Sequence, residues 1–83
     1  FSVSAYPNPF NSRTTVSWSG VLHRDATLQV FDLLGREVMR ESISLEQSAG
    51  LALDFSNLSA GNYVIQIMTQ DARVAPLRVV YLP

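Results

Sequence analysis

The chain has no cysteine. No disulfide framework and no thiolate zinc site can be built from it, so the usual staples of a small extracellular domain are missing. It also has no lysine. Its six basic residues are all arginine (Arg13, Arg24, Arg36, Arg40, Arg73 and Arg78), and they are scattered along the chain. With a net charge of −1 there is no electrostatic footprint for nucleic acid. The apolar runs are too short to cross a membrane as a helix. No initiator methionine, charged leader or signal-like apolar segment opens the chain, and a sequence that begins at Phe1 reads as a fragment of a larger protein.

The residue types that build catalytic sites are equally sparse. The single histidine, His23, lies in a polar connection with Arg24 and Asp25, where a solvated side chain is the ordinary outcome. The serines lack the glycine-elbow context of a nucleophile, and one histidine leaves little choice of base. Seven carboxylates are present, but none forms the close run of a calcium loop, and the four glycines are isolated and cradle no phosphate. No metal, cofactor or small-molecule substrate is expected, and the chain reads as a non-catalytic monomer.

What is present fits one small all-β domain over residues 1–83. Eighty-three residues support one core, and 47% apolar with 16% charged residues is a globular composition. Without covalent staples the margin of stability rests on packing, about 5–10 kcal/mol at this size. Apolar and polar residues alternate in short runs: Val3 and Ala5; Val16 and Trp18; Leu28 and Val30; Leu51, Leu53 and Phe55; Tyr63, Ile65 and Ile67. A last apolar stretch runs from Val74 to Leu82 and is interrupted by Pro76. Strand-like runs separated by turn signals every ten to fifteen residues favour a sandwich or barrel. Trp18, in phase with Val16, is expected in the core. The other reading places Trp18, Tyr63 and Tyr81 on a sugar-stacking platform.

Three local signatures punctuate these strands. In Tyr6-Pro7-Asn8-Pro9-Phe10-Asn11 two prolines remove two backbone donors and push Tyr6 and Asn8 toward extended geometry. This segment ends a strand and redirects the chain, with Phe10 expected to plug the end of the core. In Asp32-Leu33-Leu34-Gly35, Asp32 opens a type I turn and Gly35 takes the left-handed position that closes a bulged hairpin. A helix there would place Gly35 in its interior at a cost of about 1 kcal/mol. The strand that follows, about Glu37 to Leu45, has Val38 and Ile43 out of parity, which calls for a bulge. In Leu58-Ser59-Ala60-Gly61-Asn62-Tyr63, Tyr63 is either a corner tyrosine whose hydroxyl returns to the backbone or a buried tyrosine beside a glycine turn. Asn57-Leu58-Ser59 matches a glycosylation acceptor pattern that is common by chance.

In this order, with Thr15-Val16-Ser17-Trp18 behind the first and an apolar strand at the end, these motifs resemble the type A C-terminal sorting domains of type IX secretion cargo. The resemblance covers nearly the whole chain. It implies an immunoglobulin-like antiparallel sandwich of about seven strands at the C-terminus of a secreted Gram-negative protein. Such a domain is read by the outer-membrane translocon after its N-terminal passenger reaches the periplasm. A sortase-like peptidase then commonly removes it, cutting ahead of the domain, and the cargo is left at the cell surface. Family members commonly carry lysines near the C-terminal end; here Arg78 is the only charge between Pro76 and Pro83. If Leu77, Val79 and Tyr81 face inward, Val80 and Leu82 face outward with Arg78. That leaves a stripe open to a receptor by face contact or strand addition, or one covered by the rest of the domain. Gly61, Tyr63 and Arg78, Val79, Val80, Tyr81 and Leu82 are the expected recognition residues. The competing class is a retained accessory module of an extracellular enzyme, a carbohydrate-binding or spacer sandwich.

Overall fold

Alternation of side chains sets the strands. A computed structural model describes residues 2–19, 25–44, 50–69 and 76–83. Its strands are β1 (Ser2–Tyr6), β2 (Arg13–Ser19), β3 (Asp25–Asp32), β4 (Glu37–Ser44), β5 (Gly50–Asp54), β6 (Gly61–Met68) and β7 (Leu77–Tyr81). In β2, Thr14, Val16 and Trp18 are buried and the residues between them are exposed. The same period of two buries Ala26, Leu28 and Val30 in β3, and Tyr63, Ile65 and Ile67 in β6. The expected strands are present. His23, Arg24, Leu45, Arg73 and Val74, on which some expectations fell, lie outside the described residues.

Two antiparallel sheets result, one ordered β1-β2-β5 and the other β4-β3-β6-β7. In immunoglobulin lettering this is A-B-E against C′-C-F-G, a sandwich of seven strands among the described residues. Their inner faces form one core, with Val16, Trp18 and Leu53 from the first sheet meeting Leu28, Val30, Ile65, Ile67 and Val79 from the second. Trp18 is therefore a core residue, as its phase with Val16 predicts. Tyr63 and Tyr81 are also buried, so these three aromatics form no exposed platform.

The register places the strand ends at two poles. Tyr6 pairs with Thr15 and Arg13 with Asp54; Asp32 pairs with Tyr63 and Gly61 with Tyr81. The connections Pro7–Ser12, Leu33–Arg36 and Phe55–Ala60 therefore share one end of the sandwich with Leu82 and Pro83. We call this end the C-terminal pole. Ser2, Ser19, Asp25, Ser44 and Gly50 mark the opposite pole.

The β3–β4 hairpin is the bulged turn expected from sequence. The Gly35 N–H donates to the Asp32 carbonyl at 3.1 Å, and the Asp32 N–H donates to the Arg36 carbonyl at 3.0 Å. Gly35 has φ +82°, a left-handed conformation that favours glycine. Beyond the turn, Phe31 pairs with Glu37 but Val30 with Met39, which leaves Val38 as the extra residue. The bulge behind the muddled parity of β4 thus sits at the start of that strand.

Four aromatic rings close the core at the C-terminal pole. Phe10 meets Phe55 edge-on at 4.7 Å between centroids and stacks on Tyr81 at 5.4 Å. Phe55 is also edge-on to Tyr63 at 5.2 Å. Phe55 touches all three partners and is fully buried. Replacing Phe55 by alanine is expected to lower the unfolding free energy by about 3–5 kcal/mol, a large part of the margin available to a domain of this size. Chemical denaturation followed by the fluorescence of Trp18 measures this loss.

Candidate functional site

The first motif is held at the C-terminal pole by bonds along its length. β1 ends at Tyr6, and Pro7 and Pro9, both after cis peptide bonds, carry the chain across the pole. The hydroxyl of buried Thr14 donates to the Pro7 carbonyl at 2.8 Å. Phe10 then lies beside β7 in a parallel bridge with Tyr81. Its N–H donates to the Val80 carbonyl at 3.0 Å, and its carbonyl accepts from the Leu82 N–H at 2.8 Å. Phe10 is buried and plugs the end of the core, as expected from sequence.

Asn8 contributes what two prolines cannot. Its Nδ2 donates to the Arg78 carbonyl at 3.0 Å, and its Oδ1 accepts from the Val80 N–H at 2.9 Å. A side-chain amide carries the same donor and acceptor as a peptide group, so Asn8 stands in for one residue of a neighbouring strand. Together Asn8 and Phe10 occupy the outer edge of β7 from Arg78 to Leu82. Strand addition at this edge requires their displacement, which favours the face-contact alternative. Sequence reasoning missed this role. The available signal was an amide side chain between two residues that lack an N–H.

The second motif is fixed by one carboxylate. Asp32 Oδ1 accepts from the N–H groups of Leu34 (2.9 Å) and Arg36 (3.0 Å), and Oδ2 accepts from Arg36 Nε at 2.8 Å. These bonds, the Arg36 N–H foremost, hold the Asp32 carboxyl below its ordinary value. On the next strand Glu37 is likewise lowered, first by the Gln29 amide at 2.9 Å and then by Arg40. Leu33 and Leu34 at the tip of this held turn are exposed.

The third motif forms a corner. The Tyr63 hydroxyl donates to the Ser59 carbonyl, four residues upstream, which is the corner-tyrosine alternative. Burial, with the Asp32 charge nearby, pushes the Tyr63 hydroxyl up, so it stays a donor. Gly61, with φ +147°, leads into β6 and pairs with Tyr81. Leu58, half-buried, packs on the core edge. Between turn and corner runs an open groove of about 410 Å³ lined by Leu34, Val38, Leu58, Ala60 and Tyr63.

β7 follows its expected parity. Val79 and Tyr81 are buried and Leu77 half-buried; Arg78 and Leu82 are exposed. Val80 is half-buried rather than fully open, so the outward stripe is centred on Arg78 and Leu82. Among the described residues the exposed large hydrophobic side chains are Tyr6 (81%), Leu34 (78%), Leu33 (59%) and Leu82 (55%), and all four lie at this pole. Tyr6 is the only fully exposed aromatic among them. The pole thus brings together Pro7–Asn11, Asp32–Gly35, Leu58–Tyr63 and the end of β7. Of the expected recognition set, Tyr63, Val79 and Tyr81 serve the core and Arg78 and Leu82 face solvent.

The class defined by fold and site is a small antiparallel β-sandwich module that gathers its motif-bearing segments at one end. Residues 4–80 match the family described as the secretion system C-terminal sorting domain, and the chain belongs to this family, the sorting domains of type IX secretion. No curated protein matches the chain.

The Asp32 bonds predict a pH dependence. The folded carboxyl titrates below 3.8, its ordinary value. Its stabilisation is therefore complete above pH 3.8 and is lost as pH falls through the lower folded value. Asp32→Asn is expected to be less stable than the parent at neutral pH, with the gap closing below pH 3.8. Denaturation midpoints across the acid range measure the convergence.

Proposed function

We propose that this domain directs an N-terminal passenger through the type IX outer-membrane translocon to the cell surface, and that the outward side of its last strand is part of the address. The observation that carries this reading is the position of Arg78 and Leu82. Arg78 is exposed on β7 and Leu82 just past its end, beside buried Val79 and Tyr81, at the pole opposite the start of β1. A passenger joined ahead of β1 leaves the C-terminal pole free to meet a receptor. Gly61 and Tyr63 act beneath this surface, since they pair with Tyr81 and Val79 and set where β7 lies. Removal of the domain by a sortase-like peptidase, cutting ahead of β1, completes the route and leaves the passenger attached at the surface. Against the alternative of a retained carbohydrate-binding module stands the burial of Trp18, Tyr63 and Tyr81.

The test is export of a reporter fused ahead of the domain in a bacterium with a type IX system. Leu82→Glu and Val80→Glu place charge on the outward side and leave the buried face of β7 intact. Each is expected to reduce surface display severalfold while the purified domain remains folded. Undiminished display of either folded variant would contradict the assignment.

A further inference from the structure

The outer edge of β7 is an edge of the four-stranded sheet, and such an edge ordinarily offers a row of free N–H and carbonyl groups to any passing strand. Here the row from the Arg78 carbonyl to the Leu82 N–H is filled from within the domain. The Arg78 carbonyl and Val80 N–H are taken by the two ends of one amide, and the Val80 carbonyl and Leu82 N–H by Phe10. The lengths, 2.8–3.0 Å, are those of ordinary hydrogen bonds. Phe10 has a second reason to be where it is, because its ring is buried. Asn8 has none. It is exposed, and its side chain makes its two bonds to β7.

Alanine, serine or aspartate at this position would leave the core untouched but would not supply a donor and an acceptor at the spacing of a peptide group. Aspartate would keep the acceptor for Val80 and set a carboxylate oxygen against the Arg78 carbonyl. The Asn8 bonds fall on the backbone of Arg78 and Val80, on either side of buried Val79, so the amide fixes the backbone from which the proposed address projects.

We propose that Asn8 is a positioning residue for this address. Its amide acts as a lock that closes the outer edge of β7 and holds Arg78, Val80 and Leu82 in one arrangement, so the secretion machinery meets them as a folded face and not as an added strand. The inference rests on the reading of β7 as part of the address. It separates from that reading because the lock has its own observable, the exchange of the Val80 amide hydrogen with solvent.

The experiment compares the parent chain with Asn8→Ala, Asn8→Asp and Leu82→Glu. Each is assayed for Val80 amide exchange in the purified domain and for surface display of the fused reporter. Asn8→Ala is expected to stay folded, to speed Val80 exchange by at least about tenfold as that N–H loses its acceptor, and to reduce display severalfold. Asn8→Asp keeps the acceptor, so its Val80 exchange should fall between the parent and the alanine variant. Leu82→Glu should reduce display with Val80 exchange unchanged. Parent-like Val80 exchange in folded Asn8→Ala overturns the lock. Fast exchange with full display overturns its positioning role. Full display of Leu82→Glu with fast exchange in Asn8→Ala leaves the lock standing and overturns the address reading beneath it.

Discussion

The seat of Phe10 between Phe55 and Tyr81 is the interaction on which the C-terminal pole depends. Its ring fills the end of the core, and its backbone pairs with β7. The residue therefore ties the segment that leaves one sheet to the last strand of the other. Phe55, just past β5, is placed against it by a 2.8 Å bond from its N–H to the Ser12 carbonyl. Tyr63 then packs edge-on to Phe55 while its hydroxyl holds the corner at Ser59. Aromatic pairs of this kind contribute about 0.5–1.5 kcal/mol each beyond the area they bury. In a domain with no cysteine, the four contacts among these rings are a substantial share of the margin.

This geometry explains why motifs far apart in sequence belong together. The Pro-Asn-Pro segment, the Asp32 turn and the Tyr63 corner are successive connections at one end of a sandwich, and the last strand ends among them. Each is held by local chemistry: Thr14 and Asn8 for the first, the Asp32 carboxylate for the second, the Tyr63 hydroxyl for the third. The pole is also where the exposed large hydrophobic side chains of the described residues gather. A type I turn accepts most residues at its centre, so the turn does not itself require Leu33 and Leu34. Their exposure on a turn held by five side-chain and backbone bonds adds apolar surface to a rigid support. The free edge opposite β7 is treated differently, since β4 carries a bulge at Val38 and exposed Arg40 and Glu41, features that discourage pairing.

Much of this was legible in the sequence because it is local. A period of two revealed which faces of β2, β3, β6 and β7 turn inward, and it placed Trp18 in the core. Asp32 and Gly35 announced their turn because each has a conformational or hydrogen-bonding role that few residues share. The out-of-parity Val38 and Ile43 required a bulge, but only the pairing with Phe31 and Val30 located it. Less legible was everything that joins the sheets. The Asn8 bonds span 70 and 72 residues, and no periodicity reports contacts at that separation. Thr14 carried no reading in the sequence, and it is buried in phase with Val16 because the Pro7 carbonyl satisfies its hydroxyl. Val80 had the outward parity but not the full exposure, since Asn8 and Phe10 lie along its edge.

The central claim is that the first motif and the last strand are interlocked through Phe10. A double-mutant cycle on Phe10→Leu and Tyr81→Leu, read by chemical denaturation, tests it most directly, because it isolates the term shared by two rings 71 positions apart in the chain. The account predicts a coupling of about 0.5–1.5 kcal/mol for the stacked pair. Losses that add with no coupling would contradict it.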